Sequence, residues 1–315
     1  MSAPASPPLL QGARDARPAH DADGPPDLSI VIVSYDSLDY LRDCLASLPA
    51  GVGRLSREVI VIDNASGDPT VEWLARSVPS VRCLPNRRNL GFARACNQGL
   101  RAAHGRFLLL LNPDTVVGNR AIESTVAYLE RRQRVAAASC KVVRPDGRLD
   151  LSCKREFPSV WDAFARFVGL SRLFPRSRVF ARYDARYLDE DAAQEVPLID
   201  GCFMLIRREA LEEIGLLDDR FFMYAEEMDW CRRARSHGWR IGYEPAGTTL
   251  HIKGASTRQH TFRMLYHFHR SMLLYYWKHG GHPVLGTWIV LPSLVVRFLA
   301  LVVVNLCRRE RYVSA

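Results

Sequence analysis

Between residues 28 and 111 one pattern recurs: an unbroken aliphatic run ends in polar residues, and apolar residues at helical spacing follow. Leu28-Ser29-Ile30-Val31-Ile32-Val33-Ser34 is the first run. Its continuity and β-branching predict a strand buried on both faces, as in a parallel sheet. Leu38, Leu41, Leu45 and Leu48 then recur at helical spacing, with Ser37 as the expected N-cap. Glu58–Asp63 predicts a second strand, closed by the turn-rich Asn64-Ala65-Ser66-Gly67-Asp68. A helix is expected from Thr70 to Ser77, a short strand at Val81–Leu84, a helix at Ala93–Ala103 and a strand at Arg106–Leu111, closed by Asn112-Pro113-Asp114. Strands alternating with helices imply right-handed βαβ units on a parallel sheet.

The second half is mixed. Arg134–Val143 contains a strand, and Arg144-Pro145-Asp146-Gly147 is a turn. Residues 154–190 are rich in arginine and aromatics and resist assignment, which reads as a mobile loop. Phe203–Ile206 predicts a buried strand after Asp200-Gly201, and Arg208–Ile214 a helix. Ala225–His237 has helical spacing, with Met228, Cys231 and Ala234 on one side. Arg240–Tyr243 predicts a short strand. No internal repeat is present.

In a parallel sheet, ligands bind beyond the carboxyl ends of the strands. Polar residues stand at those ends: Tyr35 and Asp36, Asp63 and Asn64, Asn112 and Asp114. The chain has neither GxGxxG nor GxxxxGK[ST], which argues against an ordinary dinucleotide fold or a P-loop enzyme. A nucleotide here must be held by strand-end carboxylates, a metal and loop backbone. A second concentration of chemistry lies at Glu226, Glu227 and Asp229, just after the aromatic run Phe221-Phe222-Met223-Tyr224. Acids beside an aromatic wall are candidates for a raised pKa and general-base work. The plainer reading is a charged helix start that favours the macrodipole, with Arg232 and Arg233 further along.

Composition narrows the classes. The 315 residues, 48% hydrophobic and 24% charged, suffice for one large domain or two fused halves. A net charge of +9 suits nucleic acid, anionic lipid or phosphorylated substrates. No Lys/Arg run is long enough for a nucleic-acid arm, and no CxxC pair indicates zinc. The eight scattered cysteines read as buried thiols in a reducing compartment. Residues 1–27 are rich in Pro, Ala, Asp and Gly, lack an apolar run and are expected to form a disordered tail.

Seven segments together resemble the inverting glycosyltransferases of the GT-A fold, family 2. They are SIVIVSYDSLDYLRDCLASL, EVIVIDNASGD, NLGFARACNQGL, FLLLLNPDT, DGCFMLIRREALEEIG, FFMYAEEMDWCRR and HIKGAS, spread in the family's order over residues 28–256. Within that family the chain looks most like bacterial rhamnosyltransferases of cell-wall and O-antigen polysaccharide. The resemblance implies a Rossmann-like, mostly parallel central sheet flanked by helices. A nucleotide-sugar-binding half at 28–115 and an acceptor-binding, catalytic half at 116–257 would share one GT-A domain.

It also implies roles. The family's metal motif is Asp-x-Asp; here it reads Asn112-Pro113-Asp114. Asp114 would bind Mg2+ or Mn2+ on the donor diphosphate, and Asn112 would contact the diphosphate or ribose. Asp63 would accept from the pyrimidine base, Tyr35 would pack on it, and Asp36 and Asn64 would lie alongside. Gly91, Arg94 and Asn97 belong to the loop and helix start near the donor. His251, in His-x-x-Gly-x-Ser, would join the metal or diphosphate, with Lys253 and Ser256 on phosphate. Glu227 matches the general base, where aspartate is more usual; Glu226 and Asp229 would shape the acceptor pocket or pair with the arginines.

Residues 258–315 are expected to be membrane-associated. His260–Trp277 mixes aromatic and basic residues as an interface belt does, the alternative being a helix packed on the domain. Val284–Cys307 is long enough to span, yet a cytoplasmic donor would put Arg308-Arg309-Glu310-Arg311 outside, against the positive-inside tendency. A monotopic or re-entrant hairpin broken at Pro292 is the preferred reading. The expected partners are a nucleotide sugar, a polyprenyl-diphosphate-linked glycan and the cytoplasmic face of a bacterial inner membrane, not nucleic acid. The leading expectation is L-rhamnose transfer from dTDP-rhamnose. The alternatives are a UDP-hexose or UDP-galactofuranose donor, or a noncatalytic nucleotide-sugar-binding scaffold.

Overall fold

The computed structural model describes residues 24–252 and 261–307, so most of the expected N-terminal tail, Lys253, Ser256 and Arg308–Arg311 lie outside the described residues. The first half alternates as the sequence pattern requires: β1 (Leu28–Ser34), α1 (Leu38–Val52), β2 (Arg57–Asp63), α2 (Thr70–Ser77), β3 (Arg82–Pro85), α3 (Phe92–Ala102) and β4 (Phe107–Leu111). β1 pairs in parallel with β2 on one side and β4 on the other, and β3 extends the sheet beyond β2. The strand order therefore reverses between β1 and β4, which opens a crevice at their carboxyl ends. All seven β1 residues are buried. Its five aliphatic side chains each stabilise by roughly 1.5–3 kcal/mol, so this strand anchors the loops that follow it. α3 lies close over β1 because Gly99 has no Cβ; one placed there would stand 2.3 Å from Val31 Cγ1.

The chain continues through β5 (Thr115–Val117), α4 (Ala121–Arg131), β6 (Val135–Val143), α5 (Val160–Phe167), α6 (Leu170–Leu173), β7 (Gln194–Val196) and β8 (Phe203–Arg207). Then come α7 (Arg208–Ile214), α8 (Glu226–Ser236), β9 (Arg240–His251) and α9 (Thr261–Lys278). β8 joins antiparallel to β4 and to β6, β6 and β9 run parallel, and β5 and β7 pair antiparallel with β9. The result is one mixed sheet of nine strands among the described residues.

Four expectations change. Ser37 makes no side-chain cap; its hydroxyl meets Ser34 Oγ at 3.0 Å. The Leu38 amide at the start of α1 instead donates to Asp68 Oδ2 from the loop after β2, at 2.9 Å. β9 is longer than Arg240–Tyr243 because the β6 register skips residues 245–247, so Pro245 sits in a bulge and pairing resumes at Thr248. The segment read as an irregular loop holds two short helices; α5 opens on a capping box between Ser159 and Asp162. Finally, the chain does not turn back at Pro292. α10 (Pro283–Leu285) passes through a π turn at Gly286–Val290 into α11 (Leu291–Cys307), and Pro292 stands directly after the π turn, an irregularity of the helical hydrogen-bond ladder of the kind found where a residue without an N–H is accommodated.

Pro283–Leu306 is long and apolar enough, by length and composition, to cross a membrane, with a mean hydropathy of 2.4. α9 packs on the domain through Met264, Leu265, His269, Ser271 and Tyr275, leaving Tyr266 and Trp277 exposed. The cysteines whose side chains are described are all free, and only Cys83 is not fully buried. Asp68→Ala removes the acceptor at the start of α1. It is expected to cost about 0.5–2 kcal/mol, read as a lower urea midpoint.

Candidate active site

The strand ends and the start of α8 face one open cleft of about 3160 Å³, whose walls include Val33, Tyr35, Asn112, Asp114, Glu227 and His251. Ordinary ligand pockets reach about 1,000 Å³, so there is room for two extended substrates.

At the end of β2, Asp63 is 3% exposed. Its Oδ2 accepts from the Ser66 amide at 3.2 Å, while Oδ1 is buried with no hydrogen-bond partner among the described residues. A buried acceptor left in this way suits a ligand N–H. Its neighbours are tied into the scaffold. Asn64 donates to Asn89 Oδ1 (3.0 Å) and accepts from the Leu90 amide (3.0 Å) and from Asn86 Nδ2 (3.1 Å). Asp36, at φ +48°, accepts from the Gly67 amide at 2.6 Å and so links the loops after β1 and β2.

The loop before α3 is clamped by the segment that leads into α8. Gly91 has φ +86°, and a Cβ there would stand 2.5 Å from the Phe222 carbonyl oxygen, which accepts from the Phe92 amide at 2.6 Å. The approach that glycine permits is therefore to the 221–225 segment. Arg94 pairs with Asp219 at 3.2 Å on the surface. Asn97, 2% exposed, holds both backbone groups of Leu217, donating at 2.8 Å and accepting at 3.1 Å. Asp36, Asp63, Arg94 and Asn97 are not on the cleft wall; Asp63 adjoins Asn64, which is.

Asp114 and His251 meet through strand pairing. Thr115 pairs with His251 across β5 and β9, and the Ile252 amide donates to the Asp114 carbonyl at 2.9 Å. Asp114 Oδ1 then lies 3.3 Å from His251 Nε2. Behind the ring, Asp150 Oδ2 stands 3.5 Å from Nδ1, an electrostatic contact without hydrogen-bond alignment. Burial pushes the imidazole pKa down, but Cys202 and the two carboxylates outweigh it and raise the pKa overall. Burial holds the Cys202 thiol up at about 11, so the carboxylates carry this attraction at neutral pH. An imidazole between two acids is how proteins orient a metal-ligating histidine.

The three acids of α8 diverge. The helix starts after two residues in the left-handed region, Tyr224 (φ +70°) and Ala225 (φ +69°), a strained entry of the kind found at functional sites. Glu226 is 4% exposed; burial and then Glu227 raise its pKa well above the usual range, and Oε2 has no hydrogen-bond partner among the described residues. Glu227 is raised by burial and Asp200, and opposed by Arg155, whose Nη2 lies 3.1 Å from Oε1. Arg155 is fixed by donating to Tyr183 Oη at 2.8 Å and through its amide to the Leu198 carbonyl at 2.9 Å. Asp229 points elsewhere: Arg233 Nε (2.9 Å), Lys278 Nζ (2.6 Å) and His279 Nε2 (2.8 Å) surround it, tying α8 to the end of α9. Arg232 reaches Tyr275 Oη instead, at 3.2 Å.

The cleft thus gathers Tyr35, Asn64, Gly91, Asn112, Asp114, His251, Glu226 and Glu227, and adds Asp150, Arg155, Tyr183 and Asp200. Sequence reasoning missed those four as site residues. Arg155 and Tyr183 lie in the segment without a period, and only the Asp200-Gly201 turn gave a local signal.

The sequence model of Glycosyl transferase family 2 matches residues 29–215. The chain belongs to that family and is an inverting glycosyltransferase of the GT-A fold. It is 29% identical over 300 residues to the N-acetylglucosaminyl-diphospho-decaprenol L-rhamnosyltransferase of Mycobacterium tuberculosis, covering 90% of this chain and 95% of that protein. It is 24% identical to Rhamnosyltransferase WbbL of Escherichia coli, over 70% of this chain and 82% of that one. Among solved structures, the mannosyltransferase PcManGT from Pyrobaculum calidifontis, in complex with GDP-Man and Mn2+, shares the fold. The TM-score is 0.55 at 18% identity, over 95% of this chain and 80% of that one.

Glu226 gives a stability prediction. Its folded pKa is raised, so the folded chain holds a proton that the unfolded chain releases above about pH 4.3. That contribution is full below the unfolded pKa and is lost as pH rises through the folded one. Glu226→Gln is therefore expected to raise the unfolding free energy at pH 8 by about 1–2 kcal/mol, read as a higher urea midpoint, with little change at pH 4.

Proposed function

We propose that the chain transfers L-rhamnose from dTDP-rhamnose to a polyprenyl-diphosphate-linked glycan at a cytoplasmic membrane face, with Glu227 as general base. The observation that carries this reading is the shared cleft: a buried, arginine-held carboxylate with a raised pKa opposite the Asp114–His251 pair. The likeness to a decaprenol-diphosphate-linked rhamnosyltransferase over nine-tenths of the chain supports the donor sugar and the acceptor.

On the donor side, the free Oδ1 of Asp63 takes the N3–H of the base, and Tyr35 and Asn112 flank the nucleotide. Thymine and uracil present the same N3–H, so Asp63 selects a pyrimidine and not the sugar. Asp114 Oδ1 and His251 Nε2 fit a divalent cation: 3.3 Å apart, they offer one hard oxygen and one imidazole, with Asp150 orienting the ring. When bound, Mg2+ or Mn2+ offsets the charge of the departing diphosphate. Glu227 accepts the proton of the acceptor hydroxyl as that oxygen attacks the anomeric carbon opposite the nucleotide, and one displacement inverts the configuration. Arg155 opposes burial and the nearby Asp200, pulling the raised Glu227 pKa back down.

The test incubates the purified chain with a polyprenyl-diphosphate sugar, Mg2+ or Mn2+, and dTDP-rhamnose, UDP-hexose or UDP-galactofuranose, and reads the lipid product by mass spectrometry. Turnover is expected with dTDP-rhamnose. Product only from a UDP sugar overturns the donor, and none from any donor leaves the scaffold reading. Glu227→Gln and Asp114→Ala are each expected to cut transfer by about a thousandfold or more with an unchanged far-UV spectrum; full activity in either removes that role.

Arg155→Gln gives a further check. Without the guanidinium, Glu227 holds its proton to higher pH, so the acid limb of kcat is expected to move upward by about one unit, with partial return in Arg155→Lys. An unmoved limb would mean that Arg155 does not set the ionisation of the base.

A further inference from the structure

Residues 159–182 form the least buried apolar surface of the domain outside the C-terminal helix. Trp161 is 45% exposed, Phe164 50%, Leu173 70%, Phe174 47% and Val179 56%. These side chains are gathered, not scattered. The Trp161 ring lies 5.6 Å from Phe164 and 6.2 Å from Phe180, and Phe174 lies 5.5 Å from Phe180. The Trp161 indole N–H donates to the Val179 carbonyl at 2.9 Å, joining α5 to the later turn. The surface is thus built to be held together while facing outward.

Its charge is one-sided. Between 160 and 183 the chain has five arginines and a single acid, Asp162. That acid is 8% exposed and consumed by the Ser159 capping box and by Arg182 at 2.6 Å. An apolar patch ringed by guanidinium groups complements anionic lipid headgroups and repels a second copy of itself. It is also continuous with the other apolar surface: Phe164 and Arg172 share the cleft wall with Ile289 and Val296 of the C-terminal helix.

We propose that residues 159–182 are a second membrane-contact element, which inserts its aromatic tip into an anionic bilayer beside the C-terminal helix. The mouth of the cleft, with Arg155 and Tyr183 just behind it, then opens at the lipid surface. The use of this opening to admit a lipid-linked acceptor rests on the proposed function; the membrane contact does not.

The experiment uses the full chain and vesicles of phosphatidylcholine with or without phosphatidylglycerol, some with brominated acyl chains, and contains no sugar. The difference in tryptophan quenching between the wild type and Trp161→Phe isolates Trp161. Trp161 is expected to be quenched by brominated lipid in anionic vesicles, and partitioning of a Leu173→Asp, Phe174→Asp double variant to fall about tenfold while the C-terminal helix is retained. Equal quenching in wild type and Trp161→Phe overturns the proposal, as does unchanged partitioning of the double variant. So does concentration-dependent shielding of Trp161 from iodide without vesicles, which would assign the surface to self-association. Because no transfer is measured, failure here is separate from failure of the enzymatic reading.

Discussion

Three carboxylates are buried in the first turn of α8, and that burial organises the second half of the molecule. Removing a carboxylate from water costs on the order of several kcal/mol unless it is paired or neutralised. Each acid meets this demand differently. Asp229 draws in Arg233, Lys278 and His279, which docks the end of α9. Glu227 draws in Arg155, which brings the 150–190 excursion over the cleft. Glu226 has neither, and burial beside Glu227 drives it toward protonation. One cation-ringed anchor, one arginine-held carboxylate and one acid driven toward protonation arise from a four-residue stretch.

The same logic explains why α9 belongs to the site. Its aromatic and basic residues fit a membrane belt by composition, yet several are spent on the segment that leads into α8. His267 stacks on Phe222 with centroids 4.0 Å apart, Tyr224 meets Phe268 edge-on, and Ser271 donates to the Met223 carbonyl at 2.8 Å. From the other side, Gly91 admits the Phe222 carbonyl to the start of α3. These clamps hold Tyr224 and Ala225 in the left-handed region, a conformation that costs each about 1–3 kcal/mol. That entry aims Glu226 and Glu227 at the cleft.

The strand-end part of the cleft was legible in the sequence for a physical reason. Strands buried on both faces are unbroken apolar runs, so the polar residues that end them stand out. Local pattern could not show what those residues face. Asp63 keeps one buried carboxylate oxygen without a hydrogen-bond partner among the described residues, whereas the carboxamide groups of Asn64 and Asn97, identical in type to any binding asparagine, bond the scaffold from 22 or more positions away. β5 was invisible because a three-residue strand has no period, and it is the ladder that joins Asp114 to His251. Arg155 was hidden because the excursion's contacts are long-range: Glu227 is 72 residues away.

Helical spacing alone places Glu226 and Asp229 on one side of α8, with Glu227 about 100° away, yet it is Glu226 and Glu227 that line the cleft. The buried partners break that symmetry. Asp229, at the end of the same opening turn, is reached by Arg233 and by the cations at the end of α9, while Glu227 is met by Arg155 and both glutamates feel Asp200. Which acid is spent on the scaffold and which is left facing the cleft is therefore set by what the neighbouring elements can neutralise. In the proposed role a glutamate suits position 227, because the guanidinium, anchored by Tyr183 and Leu198, fixes the end of the longer side chain. Without such a clamp the extra methylene would add freedom at the reacting oxygen; with it, reach is gained and orientation kept.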